Sequence, residues 1–206
     1  MLTLAQWQKM FTEADQELVN QSKYFCELDS KIGDGDHGVT IARMAEAMQA
    51  YIKDHQPQDV KSFLDDLGMI CMNSNGGSAG PLWGTILCGL AGGAPEGRKQ
   101  IDGPELKAMF KQCASDFKDI SKAKVGDKTL VDALYPAIEA ALSAGDDTTA
   151  IMEAAAQAAV KGADQTVNFA ARFGRARNFG EASKGSKDPG AVSLSVLLSS
   201  LAKAAH

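Results

Sequence analysis

Apolar residues recur at helical spacing through almost the whole of this chain, and runs that alternate apolar with polar β-branched residues are missing. That pattern restricts the fold to helices packed on helices, the all-α class. Clusters of glycine, proline and aspartate cut it into about eight segments, over residues 4–28, 37–54, 59–72, 79–90, 104–121, 130–143, 148–172 and 189–204. In the first segment Leu4, Trp7, Met10, Phe11, Ala14, Leu18 and Phe25 share one side. With 206 residues and 45% hydrophobic content the chain can bury one sizeable core, so residues 1–206 are expected to form a single domain.

Short connections make consecutive helices antiparallel. In such an up-and-down bundle the connections 29–36, 73–78, 122–129 and 174–188 all emerge at one end. These four hold nearly every glycine, aspartate and basic residue that a plain turn does not need, whereas 55–58 and 144–147 read as ordinary turns. The second, fourth, sixth and eighth helices then aim their N-termini, with free N–H groups and partial positive charge, at that same end. An anion site is expected there.

The densest of the four connections, with the first residues of the helix after it, is residues 29–40, Asp-Ser-Lys-Ile-Gly-Asp-Gly-Asp-His-Gly-Val-Thr. Asp29, Asp34 and Asp36 offer the hard oxygen ligands that Mg2+ and Ca2+ take, although aspartate and glycine also build ordinary turns and caps. An EF-hand does not fit, because Gly38 falls on the third ligand position counted from Asp34 and no glutamate closes the loop at Ala45. His37, beside Asp36, is placed to reach a ligand, cap the helix or support a metal ligand. Asn75 to Pro81 is a glycine-rich helix entrance suited either to cradling phosphate or to tight packing, without the Gly-Lys-Ser/Thr of a Walker motif. Gly126-Asp127-Lys128-Thr129 reads first as helix capping. Arg175, in a connection longer than a helical hairpin needs, suits a bidentate phosphate clamp or a solvated surface.

Several classes are excluded or disfavoured. A net charge of −5 with evenly mixed signs leaves no basic face for nucleic acid. No segment approaches the roughly 20 apolar residues of a membrane span, and the first residues lack a leader pattern, so a cytoplasmic protein is expected. Cys26, Cys71, Cys88 and Cys113 are scattered singly and read as reduced core thiols.

Taken together, the four connections resemble the nucleotide-binding (L) subunit of dihydroxyacetone kinase. The matching residues are Asp29 with 33–38, then 76–82, 126–129, and 174–176 with 188–191, and the resemblance runs through nearly the whole chain. It implies a barrel-like bundle of eight antiparallel helices with a nucleotide site at one end. It also implies that Asp29, Asp34 and Asp36 bind two Mg2+ ions holding the phosphates of ADP or ATP. By position, His37, Gly38, Val39, Thr40, Ser78, Ala79, Gly126, Leu130, Arg175, Asp188, Pro189 and Gly190 would surround the nucleotide. The implied activity is phosphoryl transfer to an alcohol group of a short ketose bound by a separate K subunit. The implied assembly is a homodimer or heteromer, and the donor is either ATP by exchange or bound ADP recharged by a phosphohistidine protein of the phosphotransferase system.

The chain departs from the family pattern at Thr40, where asparagine is usual, at Ser78-Ala79, whose order is inverted, and at Arg177-Asn178-Phe179. Two other readings stay open on the residues alone. One is a regulatory module of the same fold that senses ADP without transferring phosphate. The other is a helical scaffold with no ligand.

Overall fold

Where the sequence pattern predicts one helix over 4–28, two form. In the computed structural model, which describes residues 1–75 and 77–206, α1 (Leu4–Asn20) stops at Gln21 and α2 (Ser22–Asp29) continues at a new angle. No glycine or proline marks this break. Just after it α3 comes close to α2, where a Cβ on Gly38 would sit 1.8 Å from the Ser22 carbonyl oxygen. Gly76, part of the glycine-rich entrance noted above, lies outside the described residues.

The remaining helices are α3 (His37–Asp54), α4 (Val60–Met72), α5 (Ala79–Gly93), α6 (Gly103–Ile120), α7 (Val131–Ser143), α8 (Thr148–Gln165) and α9 (Pro189–Ala204). Each of α3 to α9 packs on the next, α1 packs on α3, and α9 returns to α1, so eight helices close a ring with α2 lying against α3 and α9. This is the expected all-α, barrel-like architecture. One hydrophobic cluster threads all nine helices, with Trp7, Phe11, Phe63, Trp83 and Phe117 among its largest buried side chains. Two details lie outside the sequence pattern. Residues Leu2–Thr3 (β1) pair antiparallel with Gln100–Ile101 (β2), a ladder too short to leave a periodic signal. And α8 ends at Gln165 instead of running to Arg172, because the Thr166 hydroxyl donates back to the Ala163 carbonyl (2.6 Å) and the chain leaves through a 3-10 turn.

Helix capping is unequal at the two ends of the ring. The N-termini of α1, α4, α6 and α8 are capped by Thr3, Asp59, Asp102 and Asp147, the first three as full capping boxes. At the other end, among the described residues, Asp36, Ser78 and Leu130 directly precede α3, α5 and α7 without a side-chain cap bond of their own, whereas Asp188 caps α9; the first N–H of α3 goes to Asp29 and that of α7 to the Thr129 hydroxyl. Among the described residues no helix is long and apolar enough to cross a membrane, and the four cysteines are free thiols.

Asp15 of α1 is an anomaly in the core. It is fully buried, and neither carboxyl oxygen has a hydrogen-bond partner among the described residues. Burial pushes its carboxyl well above the usual range, so the folded chain keeps a proton that the unfolded chain releases above about pH 4. Stability therefore falls as pH rises from about 4 toward the raised native value. Asp15→Ala should stabilise the protein at pH 8 by on the order of 1–3 kcal/mol and by less at pH 5. Thermal melts at the two pH values check this, and a variant no more stable than the parent at pH 8 would contradict it.

Candidate functional site

A cavity of about 400 Å3 opens at the end of the ring where α3, α5, α7 and α9 begin. The first turns of all four helices contribute to its wall through His37, Thr40, Ala79, Leu82, Trp83, Val131, Pro189 and Gly190. Its lining combines apolar residues, Ile32, Leu82, Trp83, Phe117, Leu130 and Phe173, with polar ones, the three carboxylates, His37, Ser78, Thr129 and Arg175.

The carboxylate cluster begins with α2, which ends in Asp29. Asp29 Oδ2 accepts the backbone N–H of His37 (3.1 Å) and so ties the end of α2 to the start of α3. The intervening loop folds tightly against that carboxylate, since a Cβ at Gly33 would lie 2.1 Å from Asp29 Oδ1. Asp34 and Asp36 are exposed, and ligand oxygens of Asp29, Asp34 and Asp36 lie within 4.8 Å of one another. Three hard oxygen donors at that spacing fit Mg2+, and they are not held apart by backbone strain. Arg175 enters from the 174–188 connection and forms an ion pair with Asp34, so its guanidinium stands beside the cluster.

His37 is half-buried, and its Nε2 lies 2.9 Å from Ser193 Oγ of α9, whose hydroxyl donates to the Gly190 carbonyl (3.1 Å). Burial lowers the imidazole to about 4, against an opposing pull from the Asp29 charge and a hydrogen bond to the Pro189 backbone. A neutral ring here is a hydrogen-bonding spacer between α3 and α9.

The turn before α7 is built around Asp132. Its buried carboxylate accepts the N–H groups of Gly126 (2.6 Å) and Thr129 (2.7 Å). Lys128, held in this turn, is itself buried. Asp188 caps α9 by accepting the Ala191 N–H (2.7 Å). Burial pushes its carboxyl up to about 7 and the Lys128 ammonium down, while their mutual attraction offsets part of both shifts.

The structure thus brings Asp29, Asp34, Asp36, His37, Thr40, Ser78, Ala79, Leu130, Arg175, Asp188, Pro189 and Gly190 to one cavity. Gly38, Val39 and Gly126 are not among the residues that line its wall, although the main-chain N–H groups of Gly38 and Val39 lie in the first turn of α3 at its edge. Gly38 faces α2, Val39 is exposed, and Gly126 spends its N–H on Asp132 in a turn with φ 100. Consecutive helical residues point about 100° apart, so of the run 37–40 only the first and last reach the cavity. Trp83, Phe117, Lys128 and Ser193 are additions. The aromatics carry only the ordinary core signal in sequence, and a lysine in a polar turn reads as solvated.

Residues 31–203 match the family described as the DAK2 domain. The chain is similar to the PEP-dependent dihydroxyacetone kinase, ADP-binding subunit DhaL, of Escherichia coli (strain K12), at 34% identity over 188 residues, which is 90% of this chain and 89% of that protein. It is also similar to the L-erythrulose kinase of Pectobacterium atrosepticum, at 33% identity over 181 residues, 83% of this chain but 30% of that longer protein. Its fold matches that of the dihydroxyacetone kinase from C. freundii, solved in complex with AMP-PNP and Mg2+, with a TM-score of 0.71 and 24% identity over 95% of this chain and 33% of that one.

The His37 environment has a spectroscopic consequence. Its imidazole resonances, assigned by comparison with a His37→Gln variant, should stay constant between pH 8 and 5 and move only below that. Because the native value lies below that of an unfolded histidine, protonation favours unfolding, and this residue's contribution to stability is lost as pH falls below about 6.5. A midpoint near 6.5 in the native protein would show that the ring is solvated and unpaired.

Proposed function

This chain belongs to the DAK2 domain family, and on that premise we propose that it is the nucleotide-binding, phosphoryl-donor subunit of a cytoplasmic short-ketose kinase. Residues 1–206 would act as one nucleotide-binding domain. One observation carries the reading: three convergent carboxylates and the first turns of α3 and α5 share one cavity with a group of apolar side chains. A nucleotide needs that combination, with an apolar ring system at one end and a chain of negative charge at the other.

Asp29, Asp34 and Asp36 would hold two Mg2+ ions, which when bound neutralise the phosphates of ADP or ATP and the charge that develops during transfer. The protein's own share is placement. First-turn N–H groups of α3 and α5 meet the phosphates, the Ser78 hydroxyl donates to them, and Arg175 supplies a planar cation on the side facing Asp34. Leu82, Trp83, Leu130 and Pro189 form the slot for the base. In the reaction the ketose hydroxyl oxygen bonds to the terminal phosphorus, the bridging P–O bond breaks with its electrons staying on ADP, and the hydroxyl proton leaves. No residue of this chain forms a covalent intermediate.

The carboxylates, Ser78 and Arg175 that line the cavity are the groups assigned above to metal and phosphate. The sugar would therefore be bound by a separate K-type subunit, and exposed apolar side chains near the cavity mouth, Val39, Met72, Ile120, Phe173 and Phe179, suit a docking partner. The Escherichia coli relative is named as PEP-dependent, which favours recharging of bound ADP by a phosphohistidine protein of the phosphotransferase system. The similarity to an L-erythrulose kinase favours a four-carbon ketose as readily as dihydroxyacetone.

Asp36 makes the cleanest test because its carboxylate caps nothing and forms no ion pair among the described residues. Asp36→Asn should weaken Mg·ADP binding at least about tenfold while leaving the melting temperature unchanged or higher, since one of three clustered like charges is removed. Calorimetric titration and native mass spectrometry of parent and variant in Mg2+ report both. Equal ADP binding by the two proteins, or none by the parent, would remove the proposal.

A further inference from the structure

Among the described residues Lys128 is the one buried lysine, 1% exposed, and it is also the one non-glycine residue with a positive φ (58°). Each property is costly. Burying an ammonium requires full compensation, and a side-chain-bearing residue in the left-handed region is strained. Such costs persist where the surrounding structure needs the group in that place.

Its ammonium donates to two backbone carbonyls, Thr166 O (2.6 Å) and Ser186 O. Those carbonyls are far apart in sequence but adjacent in space, one at each end of the segment 167–185 that carries Phe173, Gly174 and Arg175 over the cavity. The neck they define is reinforced by Gly185 N–H to Val167 O (2.8 Å) and Asp188 N–H to Thr166 Oγ1 (2.9 Å). The turn that presents Lys128 holds the loop a second time, since Arg172 N–H donates to Asp127 O (3.1 Å) and the Arg172 side chain pairs with Asp127 (3.6 Å). The buried carboxylates of Asp132 and Asp188 supply the compensating negative charge.

The geometry points to Lys128 as a positioning residue, a clasp that closes the neck of the 167–185 loop and thereby sets Arg175 beside the carboxylate cluster. Its effect on ligand rests on the nucleotide-subunit reading above, whereas the clasp itself does not. No other side chain does this work equally well. Methionine fills the volume without donors, and arginine's rigid fork does not reproduce a three-donor tetrahedral head between two carbonyls.

Trypsin reports on the clasp without any nucleotide, because Arg172, Arg175, Arg177 and Lys184 are exposed cleavage sites inside the loop. In the full-length protein, Lys128→Met should be nicked between 172 and 184 at least about tenfold faster than the parent, before cleavage elsewhere. Unchanged nicking overturns the clasp. With Mg·ADP as the probe, Lys128→Met and Arg175→Ala should each speed dissociation at least about tenfold, and the double variant no more than Arg175→Ala alone. Faster nicking with unchanged Mg·ADP dissociation overturns the link to Arg175. A parent protein that takes up no Mg·ADP overturns the nucleotide reading instead, and the nicking comparison then decides the clasp by itself. Should Lys128→Met not fold, hydrogen exchange on the parent decides: the Gly185 and Asp188 amides at the neck should exchange at least about a hundredfold more slowly than an open loop, and open-loop rates there overturn the proposal.

Discussion

Four helices that begin at the same end of a closed ring cannot avoid gathering their unpaired N–H groups and partial positive charges in one place. That constraint organises the rest of the molecule. Elsewhere in this chain the same problem is solved locally, by Thr3, Asp59, Asp102 and Asp147 folding back onto their own helices. Around the cavity the residues directly before α3, α5 and α7 cap nothing; Asp29 and the Thr129 hydroxyl take the first N–H of α3 and of α7, and the later first-turn donors face a ligand. The acidic loop is then less paradoxical than its charge suggests. Carboxylates at Asp29, Asp34 and Asp36 sit in a field that favours negative charge, and Asp29 gains directly from the His37 N–H.

Rigidity around the cavity comes from polar groups that touch no ligand. Asp132 ties the turn before α7 to its own helix, Ser193 joins α9 to His37, and Lys128 joins that turn to the loop bearing Arg175. Each is placed on a helix terminus, where two or more elements can be fixed by a single side chain. The apolar lining needs less help, because Trp83 and Phe117 are already fixed by the core.

The helices were legible because amphipathic periodicity is a long-range average, insensitive to any one residue. The end bearing the site was legible because an up-and-down order turns loop parity into position, and this correctly grouped 29–36 with 174–188 across more than half the chain. What could not be read is what depends on one atom meeting another. The close approach of α3 to α2 depends on Gly38 meeting the Ser22 carbonyl, and the early end of α8 answers to bonds made by Thr166. Of the run 37–40, the most informative of the sequence, only His37 and Thr40 line the cavity wall, since a motif is linear and a helix is not. Lys128 was visible as a letter in Gly-Asp-Lys-Thr, but its inward path depends on carbonyls 38 and 58 residues away.

The ring closes through α9 against α1, the two helices most distant along the chain. Every other seam joins near neighbours in sequence and can form as the polypeptide emerges from the ribosome. The face of α1 that receives α9 has no native partner until the last helix is made, so the nascent chain carries an uncovered apolar stripe through most of its synthesis. Completion of the barrel is thus a single late event of high contact order, and the cavity, whose wall includes the first turn of α9, is completed only with it.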